Sequence, residues 1–180
     1  MIQPSTQTPP PPNLRAFLGR WQASGGAERS NYALFLAELC DLLGVARPEP
    51  VVPDESKNHY VFDRAITATR PDGSKAPNFI DLYKRGHFVL ETKQGIERLD
   101  QNLAPDVAPQ EAPKLKKGHG VRGSKFWDDS MLRAKAQAEA YVRSIPDDNP
   151  PFLLVVDVGY SIEIYADFSG LGKTYTPLPR

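Results

Sequence analysis

The chain is expected to form an α/β domain, a mixed sheet flanked by helices in the order α-α-β-β-β-α-β-β. Three observations lead there. Apolar residues recur at helical spacing through residues 14–21, 27–43 and 128–144. Two strand-length runs rich in aromatic and branched residues, Phe79 to Tyr83 and Phe88 to Thr92, flank Arg85-Gly86-His87, which reads as a β-hairpin. A continuous apolar run, Phe152 to Val158, has the composition of a strand covered on both faces.

Composition narrows the function. At 180 residues the chain suits one domain, with 22 basic and 22 acidic side chains. With no net charge to hold a polyanion, any contact with nucleic acid has to come from local clustering. Cys40 is the only cysteine, which excludes an internal disulfide and fits a reducing, cytoplasmic setting. No apolar run reaches membrane-spanning length, so a soluble protein without a membrane partner is expected.

The elements follow in order. Residues 1–12 hold Pro4 and the run Pro9 to Pro12, a disordered or polyproline lead-in that is either a solvated tail or a ligand for a proline-recognition domain. Asn13 suits a helix cap before Leu14, Phe17, Leu18 and Trp21. The second helix, about Ala27 to Leu43, carries Tyr32, Phe35, Leu36 and Leu39 and stops at Gly44. Glu38 within it either faces solvent or aims toward a site on the sheet. After a proline-rich connection, Tyr60 to Thr69 is a strand and Pro71-Asp72-Gly73 a turn. The hairpin comes next. Residues 95–124 read as a long loop holding Lys114, Lys116, Lys117 and Arg122, with Lys125 at its end. That basic insertion either contacts a phosphate backbone or is merely solvated. A third helix, Asp128 to Ser144, precedes the buried strand, and Ser161 to Phe168 is the last strand. A domain over residues 13–175 with a short tail at 176–180 is expected.

The chemistry concentrates in the hairpin. A three-residue loop centred on Gly86 pairs Asp81 with Glu91 and Tyr83 with Val89 on one face, and Leu82 with Leu90 and Ile80 with Thr92 on the other. Lys93 shares the face of Glu91 because strand side chains alternate with period two. Two opposed carboxylates repel unless a cation lies between them, so the economical reading is a divalent-metal site with a lysine beside it. The alternative is a surface ion pair of Lys93 with either acid, worth little energetically.

The pattern Asp81, nine residues, Glu91-Thr92-Lys93 resembles the signature of the PD-(D/E)XK nuclease superfamily, and Gln137 with Tyr141 on the third helix resembles the Q-x3-Y motif of its RecB-type members. Across residues 14–21, 27–48, 80–94, 127–141 and 151–174 the chain resembles the N-terminal nuclease domain of MmeI-like type IIL restriction enzymes, which fuse an endonuclease, an adenine methyltransferase and a target-recognition domain. That resemblance implies a restriction-endonuclease-like core, double-stranded DNA as substrate, Mg²⁺ as cofactor with Mn²⁺ as substitute, and a place in restriction–modification. Asp81, Glu91 and the Thr92 carbonyl would hold the metal, with Glu38 joining through a water. Lys93 would orient the attacking water, Gln137 and Tyr141 would brace it or hold the phosphate, and the basic insertion with Arg133 would face DNA. Nothing in the chain corresponds to the methyltransferase or specificity domains, so these are expected from elsewhere. A non-catalytic DNA-binding or docking module, or a fragment of such a fusion, is the competing reading. Asn149-Pro150-Pro151-Phe152 looks like an amino-methyltransferase motif but precedes its strand, so a turn is expected; Gly172-Lys173-Thr174 lacks the glycine and helix of a phosphate-binding loop.

Overall fold

The computed structural model describes residues 12–24, 28–69, 75–95, 121–171 and 174–179. The proline lead-in through residue 11, the Pro71-Asp72-Gly73 turn, Lys114, Lys116 and Lys117, and Gly172-Lys173 lie outside the described residues. Helices α1 (Pro12–Gln22) and α2 (Glu28–Leu43) are followed by strands β1 (Tyr60–Thr69), β2 (Lys75–Lys84) and β3 (Phe88–Lys93). Helix α3 (Lys125–Val142) then leads into β4 (Phe152–Asp157), β5 (Ser161–Ala166) and β6 (Thr176–Pro177). The order is the expected one, with β6 added. The sheet runs β1-β2-β3-β4-β5-β6, and only β3 and β4 pair in parallel. Parallel neighbours need a crossover, and α3 lies within it.

Alternation along the central strands sends side chains into two cores. Leu82, Leu90, Val156 and Val158 pack with Trp21, Tyr32, Phe35 and Leu36 of α1 and α2. Tyr83, Val89, Leu153 and Val155 pack with Trp127, Met131, Ala134, Ala138 and Tyr141 of α3. Both faces of β3 and β4 are therefore covered, as the apolar run Phe152 to Val156 requires. The carboxylate-bearing face of the hairpin is not a wet face; it is the margin of the α3 core.

Several boundaries move for local reasons. Helix α1 opens at Pro12, whose fixed φ suits a first turn, so Asn13 lies inside the helix rather than capping it. Helix α3 starts at Lys125, three residues before Asp128, because the Ser124 hydroxyl accepts the Trp127 N–H at 3.3 Å. Thr176 and Pro177, expected in a tail, pair with Ala166 and Tyr165. Pro150 lies in irregular chain before β4, its carbonyl accepting the Tyr175 hydroxyl at 2.6 Å. No described helix is long and apolar enough to cross a membrane.

Gly159, just after β4, takes φ +78°, and a Cβ there would lie 2.3 Å from the Trp21 carbonyl oxygen. Backbone of α1 thus rests directly on this glycine. Gly159→Ala is expected to cost about 1–3 kcal/mol, from both the clash and the left-handed φ. A lowered urea midpoint with unchanged slope is the expected reading, and a wild-type midpoint would rule out so close an approach.

Candidate active site

The expected hairpin register holds: Leu82 pairs with Leu90, Tyr83 with Val89 and Lys84 with Phe88. The ladder stops there, however, so the expected Ile80–Thr92 and Asp81–Glu91 pairs are not hydrogen-bonded partners. The Asp81 carboxylate fills the opening, its Oδ2 accepting the Thr92 N–H at 2.7 Å and the Thr92 hydroxyl at 2.6 Å. A strand amide that has lost its backbone partner needs such an acceptor. On the other side of Asp81 the β1–β2 pairing skips Asp63, a non-glycine residue at φ +49°. Across this row the inward side chains change parity. Phe62 and Leu82 pack toward α1 and α2, whereas Ile66 and Ile80 join the core under α3. Ile80 was expected on the face of Leu82; the interrupted pleat puts it on the opposite one.

Glu91 is 1% exposed, which excludes a surface ion pair. Its Oε2 accepts the Gln137 amide at 2.9 Å and lies 3.8 Å from the Lys93 ammonium. The same Gln137 nitrogen lies 2.8 Å from the Tyr141 hydroxyl. Residues four apart share a helix face, so one row of α3 carries Arg133, Gln137 and Tyr141. Lys93 also donates to the Thr92 carbonyl at 2.7 Å, the oxygen expected among the metal ligands. Asp81, Glu91, Lys93, Gln137 and Tyr141 thus form one neighbourhood. The nearby charges of Glu91 and Asp81 add to burial, the larger cause, in holding the Tyr141 hydroxyl above the ordinary phenol range.

The oxygens here that could hold a divalent ion are those of Asp81, Glu91 and the Thr92 carbonyl. Among the described residues no group of three or more His, Cys, Asp or Glu side chains gathers around a common point. Two carboxylates and a carbonyl are a sparse set, suited to a hard ion that keeps several waters.

Helix α2 reaches the neighbourhood through residues that the sequence reading passed over. Asn31 donates to the Gln94 side chain at 3.2 Å, and the Tyr32 hydroxyl donates to Asp63 at 2.8 Å. Burial, then Asp63 and the charge of Asp81, push the Tyr32 hydroxyl up. No local pattern marks these two, because their partners, Gln94 just after β3 and Asp63 in β1, lie 63 and 31 positions away. Glu38 does not join them. Its two oxygens accept the Trp21 indole N–H at 2.8 Å and pair with Arg20 at 2.8 Å, so it ties α2 to α1.

Of the basic candidates, Lys125 and Arg133 are exposed on α3, and the Arg133 guanidinium lies 5.6 Å from the Phe126 ring. Arg122 is a correction. It is 8% exposed, and its guanidinium is spent on Asp157 at 3.0 and 3.1 Å and on the Val158 carbonyl at 2.7 Å. Asp157, itself fully buried, also accepts the Gly95 amide at 3.0 Å and the Trp127 indole at 2.7 Å. A charge closing the apolar run of β4 was the signal for this cluster, since a buried carboxylate demands partners.

A family model described as MmeI, N-terminal domain matches residues 12–179. No curated protein and no solved structure matches the chain.

The raised Tyr141 hydroxyl has a pH consequence. A group whose folded pKa lies above its unfolded value of 10.0 stabilises fully below pH 10 and loses that contribution as pH climbs through the folded value. Urea unfolding between pH 9 and 11 is expected to show falling stability, with a shallower fall for Tyr141→Phe. Equal slopes would show that the folded surroundings do not hold the hydroxyl above its ordinary value.

Proposed function

Because the chain belongs to the MmeI N-terminal domain family, we propose that it is a Mg²⁺-dependent DNA endonuclease domain of a restriction–modification system. The observation that carries the reading is the buried Glu91 carboxylate, held by Gln137 and facing the Lys93 ammonium, beside Asp81 at the mouth of the opened ladder. A surface ion pair of Lys93 does not account for this arrangement, since Glu91 is buried.

The donor set fits the proposed ion. Asp81 and Glu91 supply hard carboxylate oxygens, and the Thr92 carbonyl a third, from adjacent strands. The ion, when bound, supplies an activated water and neutralises charge on the phosphate. The remaining work falls to the chain. Lys93, with three donors and a side chain 23% exposed, reaches solvent from a buried base. It orients the attacking water and donates to the phosphate oxygen on which charge builds. Gln137 fixes the Glu91 oxygen from outside, as partners beyond the ligands commonly do. Tyr141, kept protonated, serves as a donor rather than an anion. Lys125 and Arg133, exposed on α3, lie toward the duplex backbone and carry no sequence information. Methylation and target recognition are assigned to other domains.

On this reading the domain nicks plasmid DNA without sequence preference in Mg²⁺ or Mn²⁺. Lys93→Ala lowers the rate at least about 100-fold, and Gln137→Ala about 10- to 100-fold. A wild type silent at every divalent-metal concentration, or Lys93→Ala cutting equally well, defeats the proposal. Gel assays of supercoiled plasmid give both readings.

A further inference from the structure

Two carboxylates of β3 and β4 share a face with Lys93. One is Glu91, two residues back on the same face of β3. The other is Asp157, its direct partner across the parallel β3–β4 ladder, with its side chain on the same face. The ammonium lies against Glu91 and the Thr92 carbonyl. Asp157, by contrast, is wrapped by Arg122 through two guanidinium nitrogens, by the Trp127 indole and by the Gly95 amide. The wrapping is close. A Cβ on Gly95 would lie 2.8 Å from Asp157 Oδ2, 2.9 Å from Arg122 Cγ and 3.0 Å from Trp127 Cδ1. The Tyr160 ring, 4.8 Å from the guanidinium, closes the far side.

From this geometry we propose that Arg122 is a positioning residue: by neutralising and covering Asp157, it denies Lys93 a second carboxylate on the same face and leaves the ammonium on Glu91. A flexible lysine beside an uncompensated buried carboxylate pairs with it, because a charge left bare in the interior is strongly disfavoured. Arginine suits the post better than lysine, since its planar fork donates to both carboxylate oxygens at once and cannot lose its charge. The basic residue once expected on the DNA-facing side thereby acts inside the protein.

The test uses the full chain with Arg122→Met and with the double change Arg122→Met and Asp157→Asn. In a crystal structure of Arg122→Met, the Lys93 ammonium is expected within about 3.5 Å of the Asp157 carboxylate and off Glu91. Plasmid nicking falls about 100-fold, as for a lost lysine. In the double variant, with no carboxylate to capture it, Lys93 returns to Glu91 and nicking recovers to within about tenfold of wild type. A merely structural Arg122 predicts no such recovery. If Arg122→Met fails to fold, the double variant decides alone, since it removes charge and countercharge together. Lys93 remaining on Glu91 in Arg122→Met overturns the proposal. So does a folded double variant as inactive as the single one, or a double variant that does not fold. The inference rests on Lys93 being catalytic, but its crystallographic arm does not. A wild type that cuts nothing, beside an Arg122→Met variant with Lys93 moved to Asp157, sinks the nuclease reading and leaves the positioning role standing.

Discussion

A carboxylate carried into a protein core on a strand is intolerable unless its partners arrive with it, and Glu91 sets that condition for the whole domain. It lies on β3, which has a strand on either side and helices over both faces, and it is 1% exposed. Removing a carboxylate from water costs several kcal/mol, of which only charge and well-placed donors recover a part. The Gln137 amide and the Lys93 ammonium supply them. This requires α3 to lie across β3 with one row of its surface facing that strand. The rest of the same helix then covers Tyr83, Val89 and Val155 with Met131, Ala134 and Ala138.

The second requirement is an opening in an otherwise closed sheet. A fully paired β2–β3 ladder would bury the Asp81 row between continuous hydrogen bonds. Instead β1 takes a left-handed backbone at Asp63 and β2 stops pairing with β3 beyond Leu82. Asp81 substitutes its own oxygen for the missing carbonyl. The break lets both helical layers approach the same point. Tyr32 comes from α2 to Asp63, and Tyr141 comes from α3 to the Gln137–Glu91 pair. A single non-glycine residue at positive φ, unfavourable in isolation, is held there by a hydrogen bond from another layer.

The two buried carboxylates on adjoining parallel strands, Glu91 and Asp157, are treated differently. Asp157 receives a planar, permanently charged arginine and two further N–H donors, and is fully enclosed. Glu91 receives a flexible ammonium whose side chain is 23% exposed. The first arrangement is fully enclosed and suits scaffolding at the end of β4. The second leaves a charge that reaches solvent from a buried base.

Sequence alone determined the order of the elements up to β5 and the paired part of the hairpin, through a strand period of two and a three-residue loop that sets which residues oppose. The grouping of Gln137 and Tyr141 with Asp81, Glu91 and Lys93 came from the resemblance to a nuclease motif, with their spacing of four placing both on one row of α3. Ser124 as a cap and β6 as an edge were too short-ranged or too small to leave a period. Tertiary structure decided what periodicity cannot express. Glu38 and Arg122 have the composition of a ligand and a DNA contact, but each is claimed by a residue distant in sequence, Trp21 for one and Asp157 for the other. The reverse holds for Asn31, Tyr32 and Asp157, whose surroundings exist only once strands and helices from separate parts of the chain meet. Spacing reports which face a side chain occupies, but the partner that satisfies a buried charge is chosen by packing, and that choice is made in three dimensions.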